Sequence, residues 1–362
     1  MRFAFAAAGT GGHVFPALAV ADALERAGVA RDRIVFFGGD RMEATAVPDA
    51  GYELVQVPLQ GLKRSMSPDN MRLPASVWRA TQLIRAELRK RDVSVMIAFG
   101  GYVTVPAGWA ARRAGVRLFL HEQNAQPGLA NRLISGRAET SFVSFRGPSE
   151  RLRSSRVVGN PLRRAFSSYD GAALRPEAME RYGLPGGVPV IGILGGSLGA
   201  RVLNEAAVRI ADGHDAGSIA LVQLAGAAHA PAYAEMASSS HVAWRVMPFE
   251  DEMQYFYAAS DLVLSRAGAL TISELAATGT PAVVVPYQAG TAGHQAANAA
   301  QLAVAGGAVV VPEAEIDAVP VVVEQLIGDA PRRQAMAEAA AKQGHPHAAD
   351  VIAQTLLEAG DG

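Results

Sequence analysis

An α/β fold of two doubly wound domains is predicted by three observations. Short apolar strands alternate with helical segments, glycine-rich turns follow strands directly, and the whole pattern restarts after residue 160. Unbroken apolar strands joined through helices belong in a parallel sheet covered on both faces. The length of 362 residues supports this, since ~150 residues is a common domain size.

In the first half, Arg2–Ala8 reads as an apolar strand and Gly9-Thr10-Gly11-Gly12 as the turn after it. Val14–Ala27 carries apolar residues at helical spacing and stops at Gly28. Ile34–Phe37 is the second strand, ending in Gly38-Gly39-Asp40. Val93–Phe99 and Val116–Leu120 are further strands, separated by a short helix, Val105–Ala114. In the second half, strand Val188–Leu194 runs into Gly195-Gly196-Ser197 and helix Ala200–Ile210. Ile219–Leu224, Leu262–Leu264 and Ala282–Val285 are later strands. The join falls near Val157-Val158-Gly159-Asn160-Pro161, where Gly and Pro punctuate the chain. A last helix, about Ala348–Ala359, can pack on either domain.

Composition narrows the chemistry. With no cysteine, thiolate metal sites, disulfides and a Cys nucleophile are excluded. The apolar run Phe3–Ala8 is shorter than the ~7–15 residues of a signal-peptide core. The longest apolar stretch, Leu302–Pro312, falls short of the ~18 residues that cross a bilayer. A soluble cytoplasmic protein is therefore expected. Net charge is −1 and uneven: residues 1–160 carry +9 and residues 161–362 carry −10. That balance argues against nucleic acid, while the basic half suits an anionic surface.

Ligands of open α/β sheets sit at the carboxyl ends of the strands, so the strand-to-helix turns are the places to read, and two such domains facing each other make a cleft. Gly9–Gly12 opens a helix and can cradle an anion with backbone N–H groups, or can simply be a tight turn needing positive φ. His13 follows it; a helix N-terminus favours the neutral imidazole, which can accept a proton. Gly195-Gly196-Ser197 repeats the arrangement, with Ser197 either a diphosphate contact or a helix cap. In Gly268–Glu274, Thr271 and Glu274 have the spacing of a capping box, and Glu274 alternatively binds two ribose hydroxyls. His121-Glu122-Gln123-Asn124 ends a strand with four polar side chains suited to sugar hydroxyls, or to solvent. Arg163, just past the hinge, can reach a phosphate. Gln288 and His294-Gln295 flank a further glycine-rich loop.

Six motifs in this order resemble the MurG family of bacterial N-acetylglucosamine transferases: Gly9-Thr10-Gly11-Gly12-His13-Val14-Phe15-Pro16, Gly100-Gly101-Tyr102, His121-Glu122-Gln123-Asn124, Val158-Gly159-Asn160-Pro161-Leu162-Arg163, Gly195-Gly196-Ser197, and Gly268 to Glu274. The resemblance covers nearly the whole chain. It implies the GT-B fold, two Rossmann-like domains facing a cleft. Residues 1–160 would form the acceptor- and membrane-facing domain and residues 161–344 the UDP-GlcNAc-binding domain. A C-terminal helix, about 345–362, would return to the first.

The implied reaction is inverting transfer of N-acetylglucosamine from UDP-GlcNAc to the C4 hydroxyl of the muramoyl sugar of lipid I. The product is lipid II, a precursor of the cell wall on which cell shape and division depend. No cofactor and no metal are implied, in keeping with the lack of an Asp-x-Asp motif. Thr10, Gly11, Gly12, Asn124, Arg163, Ser197, Ala269, Leu270, Thr271, Ile272, Ser273, Glu274 and Gln295 would contact the donor. Glu274 would hold the ribose and the backbone near Glu250 the uracil. His13 is the implied base, and Glu122, a second catalytic candidate, would lie with Asn131 near the acceptor. The chain departs from the family at Ala8, where Gly is usual, at Leu198, where Gln is common, and in Ala289–Gly293, which lacks an acidic residue.

The family's acceptor keeps its polyprenyl tail in the bilayer, which implies a peripheral protein on the cytoplasmic face. Leu73, Pro74, Val77, Trp78 and Leu83, interleaved with Arg72, Arg79, Arg85, Arg89, Lys90 and Arg91, are the expected docking segment, or else an ordinary surface helix. Rival readings are another UDP-sugar lipid glycosyltransferase, a UDP-sugar epimerase, an NAD-dependent dehydrogenase and a non-catalytic nucleotide-binding module. The dehydrogenase fits worse: Val14 stands where its glycine fingerprint needs a small residue.

Overall fold

The computed structural model describes residues 1–59, 73–196, 199–288 and 293–361. It divides into two compact units, Met1–Arg163 with Pro346–Gly362, and Arg164–His345.

The first unit is built on seven strands: β1 (Phe3–Ala6), β2 (Ile34–Gly38), β3 (Glu53–Gln56), β4 (Val95–Ala98), β5 (Arg117–Glu122), β6 (Thr140–Val143) and β7 (Ser155–Val157). All pairs are parallel, in the order β3-β2-β1-β4-β5-β6-β7. Alternation along β1 sorts the core. Phe3 and Phe5 face Val14, Val20 and Leu24 of the helix Gly11–Arg26, while Ala4 and Ala6 face Ile84 and Leu88 of the helix Leu73–Lys90. The small residues let the second helix come close, and the aromatic ones stack, with Phe5 and Phe36 centroids 4.9 Å apart. The C-terminal helix Ala348–Asp361 buries Ile352, Ala353 and Leu356 in the same core as Phe3 and Phe5. Arg26 pairs with Asp350 at 2.7 Å to hold its start.

The second unit has six parallel strands: β8 (Val190–Leu194), β9 (Ala220–Leu224), β10 (Ala243–Met247), β11 (Leu262–Ser265), β12 (Ala282–Val284) and β13 (Ala308–Val310). Their order is β10-β9-β8-β11-β12-β13. Each sheet therefore reverses direction of growth once, between β1 and β4 and between β8 and β11. A crevice opens at such switch points, outside the carboxyl ends of the strands. The three glycine turns singled out on sequence follow β1, β8 and β11, so all three lie at a switch point.

Several expected boundaries move. The first helix starts at Gly11 rather than Val14, because Thr10 is extended and Gly11 already has helical geometry. Strand β5 runs on through His121 and Glu122, which pair with Phe142 and Val143. Strands β3, β6, β7, β10 and β13 are additional to those the sequence predicts. The helix after β8 starts at Arg201, with Ala200 in the cap position.

Candidate active site

At the β1 turn, Gly9 has φ +109° and Thr10 is extended, so the chain turns sharply into the helix. Thr10 makes no side-chain cap bond. The Thr10 carbonyl accepts from the His13 and Val14 N–H groups, so the Gly11 and Gly12 N–H groups are the ones at the helix start that can meet an anion, in the direction the helix dipole favours. Gly11 needs its bareness: a Cβ there would lie 2.8 Å from the Phe15 ring. His13 sits in this first turn. Its imidazole lies on Gly100, at whose position a Cβ would come within 2.9 Å of the His13 ring. Arg163 ends the first unit with its guanidinium over the Phe15 ring, 4.9 Å from the centroid. The β1 turn therefore brings Thr10, Gly11, Gly12, His13 and Arg163 into one neighbourhood.

The His-Glu-Gln-Asn run is an internal lock. Glu122 is only 2% exposed. Its Oε1 accepts from the N–H and side-chain amide of Asn124, at 3.0 and 3.3 Å, and its Oε2 from the Gly128 N–H and the Asn131 amide, both at 2.9 Å. The carboxylate thereby shapes the loop 123–131 after β5. His121 is wholly buried and neutral: Nε2–H donates to the Gly159 carbonyl at 3.1 Å and Nδ1 accepts from the Gln123 amide at 3.0 Å. Burial pushes its pKa down to about 4. Asn160 donates to the Gln123 carbonyl at 3.2 Å, tying the chain before the hinge to the same loop. Gln126 of this loop, with Arg132 and Arg151, lines a cavity whose wall carries positive charge.

In the second unit, the β8 turn brings backbones close. A Cβ on Gly195 would lie 2.3 Å from the Ala200 N, and one on Gly199 2.0 Å from the Ala225 carbonyl oxygen. Ser197 and Leu198 lie outside the described residues, as does most of Ala289–Gly293. After β11, the helix Ala269–Thr278 is capped by Gly268 without a side-chain bond. Thr271 and Glu274 are consequently the third and sixth residues of the helix, and the capping box does not form. Glu274 is half-buried instead, and its Oε2 accepts from the Tyr257 hydroxyl at 2.8 Å. The phenol is buried beneath it and fixes its direction.

Gln295, in the first turn of the helix His294–Val304, bridges two strand ends: its Oε1 accepts from the Ala267 N–H at 3.2 Å and the Tyr287 N–H at 2.8 Å. Arg266 pairs with Glu313 through two bonds of 3.1 Å, and Glu313 also accepts from the Gln288 N–H at 3.2 Å. Glu250 is 5% exposed and its side chain is fully engaged, accepting from Arg181, Tyr182 and the Glu252 N–H. Those donors outweigh burial and hold its carboxyl below the usual range. Among the described residues, no three His, Asp or Glu stand close enough to hold a metal ion.

Two residues without a sequence signal organise these turns. Tyr257 stands in the aromatic run Tyr255-Phe256-Tyr257, and Glu43 ties three turns of the first unit together. Neither belongs to a motif with recognisable spacing; only the folded sheet brings their partners near.

The N-terminal domain profile of glycosyltransferase family 28 matches residues 3–143 and its C-terminal domain profile residues 190–352. The chain belongs to glycosyltransferase family 28. A UDP-N-acetylglucosamine--N-acetylmuramyl-(pentapeptide) pyrophosphoryl-undecaprenol N-acetylglucosamine transferase of Mycolicibacterium paratuberculosis is 40% identical over 98% of this chain and 88% of its own. A protein of the same name from Acidithiobacillus ferrooxidans is 40% identical over 99% of this chain and 97% of its own. The crystal structure of MurG from Acinetobacter baumannii superposes with a TM-score of 0.80 at 28% identity, covering 99% of this chain and all of that one. The MurG resemblance read from the motifs thus holds over the full length. A UDP-GlcNAc 2-epimerase from Neisseria meningitidis, with a TM-score of 0.68 at 15% identity over 99% of this chain and 100% of that one, shares the fold.

Proposed function

We propose that this chain transfers N-acetylglucosamine from UDP-GlcNAc to the C4 hydroxyl of the muramoyl sugar of lipid I, with inversion, giving lipid II. The observation that carries this reading is 40% identity, over almost the entire chain, to transferases of that one name. The site residues support it. His13 takes the proton from the attacking hydroxyl, a task for a positioned imidazole. The β8 glycine turn, Ser197 and Arg163 bear the charge that develops on the UDP diphosphate. Thr10, Gly11, Gly12 and Asn124 face the donor sugar. Glu274, braced by Tyr257, accepts from the ribose hydroxyls. Gln295 keeps the β11 and β12 turns together beside the helix Ala269–Thr278, whose residues Ala269, Leu270, Thr271, Ile272, Ser273 and Glu274 contact the donor with it. The backbone near Glu250 receives the uracil, and Glu122 with Asn131 shapes the acceptor side.

Residues 1–160 form the acceptor domain in this reading and residues 161–344 the donor domain. The protein works at the cytoplasmic face of the membrane, with no nucleic-acid partner. The helix Leu73–Lys90 supports membrane docking. Trp78 is 63% exposed beside exposed Arg79, while Ala80, Ile84 and Leu88 are buried on the opposite side. Arg91 is held by Glu53 and Glu87 and is largely covered, whereas Arg79, Arg89 and Lys90 are exposed, Lys90 even though it reaches Glu87 at 4.0 Å, so these three are the cations that would face lipid. Arg72 lies outside the described residues.

The test is to incubate the protein with UDP-GlcNAc, with and without a short-chain lipid I analogue, and to identify products by mass spectrometry and NMR. Transfer predicts a β-linked disaccharide–lipid only when the acceptor is present. Release of N-acetylmannosamine or of its UDP derivative without acceptor would favour an epimerase and contradict transfer.

A further inference from the structure

The turn Gly100-Gly101-Tyr102 has no part in the chemistry above, and neither has Glu43. They meet in the first unit. Glu43 opens the short helix Glu43–Asp49 and is fully buried. Its Oε2 accepts from the Gly9 N–H at 2.9 Å. Its Oε1 accepts from the Gly39 N–H at 2.8 Å and from the Tyr102 hydroxyl at 2.9 Å. The turns after β1, β2 and β4 therefore all end on one carboxylate. Burial alone would push that carboxyl up; the donors around it win and hold it below the usual range, so the group stays an anion.

The turns have no slack. A Cβ on Gly39 would fall 1.7 Å from the Tyr102 oxygen, and one on Gly101 2.3 Å from the Ala8 carbonyl oxygen. Gly100 has φ +94°, and its bare Cα is the surface on which the His13 ring lies. One arm from Glu43 thus reaches the turn that leads into the His13 helix. The other passes through Tyr102 to the shelf under the imidazole.

We propose that Glu43 is a positioning residue for His13, holding the Gly9 turn and, through Tyr102, the Gly100 shelf in register with the imidazole. The inference rests on the reading of His13 as the base. Glutamine at position 43 would keep the volume, but its amide NH2 would face the Gly9 or the Gly39 N–H, and two donors cannot bond, so at least one of these turns loses its tie to residue 43.

The experiment measures kcat, both KM values and the melting temperature for Glu43→Gln and Tyr102→Phe, each alone and combined with His13→Ala. A displacement of about 1 Å at a catalytic group costs up to ~100-fold in rate. Glu43→Gln should therefore lower kcat by at least about 10-fold while both KM values stay within about 3-fold, and Tyr102→Phe should do the same more weakly. Neither should lower kcat further once His13 is Ala, because coupled residues are not additive. A merely structural carboxylate would lower the melting temperature and leave kcat per folded molecule unchanged. The proposal is overturned if both single variants keep kcat within about 2-fold, or if they lose as much in the His13→Ala background as alone. If Glu43→Gln fails to fold, the Tyr102→Phe and His13→Ala cycle decides by the same rule. Near-normal kcat in His13→Ala alone removes the base reading and this inference with it. A large loss there, with Glu43→Gln and Tyr102→Phe unaffected, removes only the positioning role.

Discussion

Glu274 illustrates how far single residues can be read. Its spacing from Thr271 allowed a helix cap or a ribose ligand, and the helix start at Ala269, capped by Gly268, removes the first. Glu274→Ala should therefore raise the UDP-GlcNAc KM by about 10-fold or more, as expected when a charge-assisted hydrogen bond is lost, with a small change in melting temperature. A fall in stability of ~1 kcal/mol with KM unchanged would match a lost cap and contradict the ribose role. His121 makes a second prediction. Its folded pKa of about 4 lies below the unfolded ~6.5, so between these values the unfolded chain binds more protons. Stability should fall as pH drops through that window, by about 3 kcal/mol in full. Urea titrations from pH 7 to 4 should show a shallower loss for His121→Gln than for the unaltered protein. Equal slopes would place the sensitivity elsewhere. The polar run at 121–124 was legible as important, but not as an inward-facing lock. A strand end and a solvated loop look alike until the neighbour β6 is known. Glu43 was not legible at all, because its three partners are 34, 4 and 59 residues away.

Elements were legible where burial was complete. Strands β1, β2, β4, β8, β11 and β12 carry near-continuous apolar runs because helices cover both faces, and β5 and β9 do so apart from the polar ends of β5 and Gln223 of β9. The strands not expected were mostly edges: β3, β7, β10 and β13 are exposed or only half-buried along much of their length and carry Glu, Arg or Gln in place of a clean run, or stop after three residues. β6 hides behind Thr140-Ser141, whose polarity masks a buried position. Glycine turns punctuated the chain correctly, and one of them can be tested. Gly101 has φ +78° and no room for a Cβ, so Gly101→Ala should destabilise the first unit by about 2 kcal/mol or more. Denaturant unfolding reads this; a change within about 0.5 kcal/mol would show that the β1 and β4 turns are not tightly apposed. The helix Leu73–Lys90 makes the membrane prediction. Its exposed Arg79, Arg89 and Lys90 contribute ~1 kcal/mol each at an anionic surface. Binding to anionic vesicles should weaken with salt, and Trp78→Ala should weaken it further. Equal binding to neutral vesicles, or none to either, would contradict lipid docking by this helix.

At the scale of the whole molecule, two sheets with one switch point each explain why the informative motifs are turns. Both sheets put their glycine turns where strand order reverses, and the sequence displays this as a strand, glycines and a helix start, repeated after the hinge. The fold class was therefore legible from periodicity and punctuation. The reaction was legible only because six motifs in order resemble one family, since the same fold also serves epimerases. In the proposed reaction the first of these turns delivers a base to the acceptor hydroxyl. The most direct measurement is kcat for transfer to a lipid I analogue by His13→Ala, taken beside its UDP-GlcNAc affinity. Loss of a positioned proton acceptor predicts a kcat lower by ~10²–10⁴-fold with donor affinity nearly unchanged, because the glycine turns remain. A near-normal kcat would contradict the assignment, and a parallel loss of donor affinity and kcat would make His13 a support of the loop rather than the base.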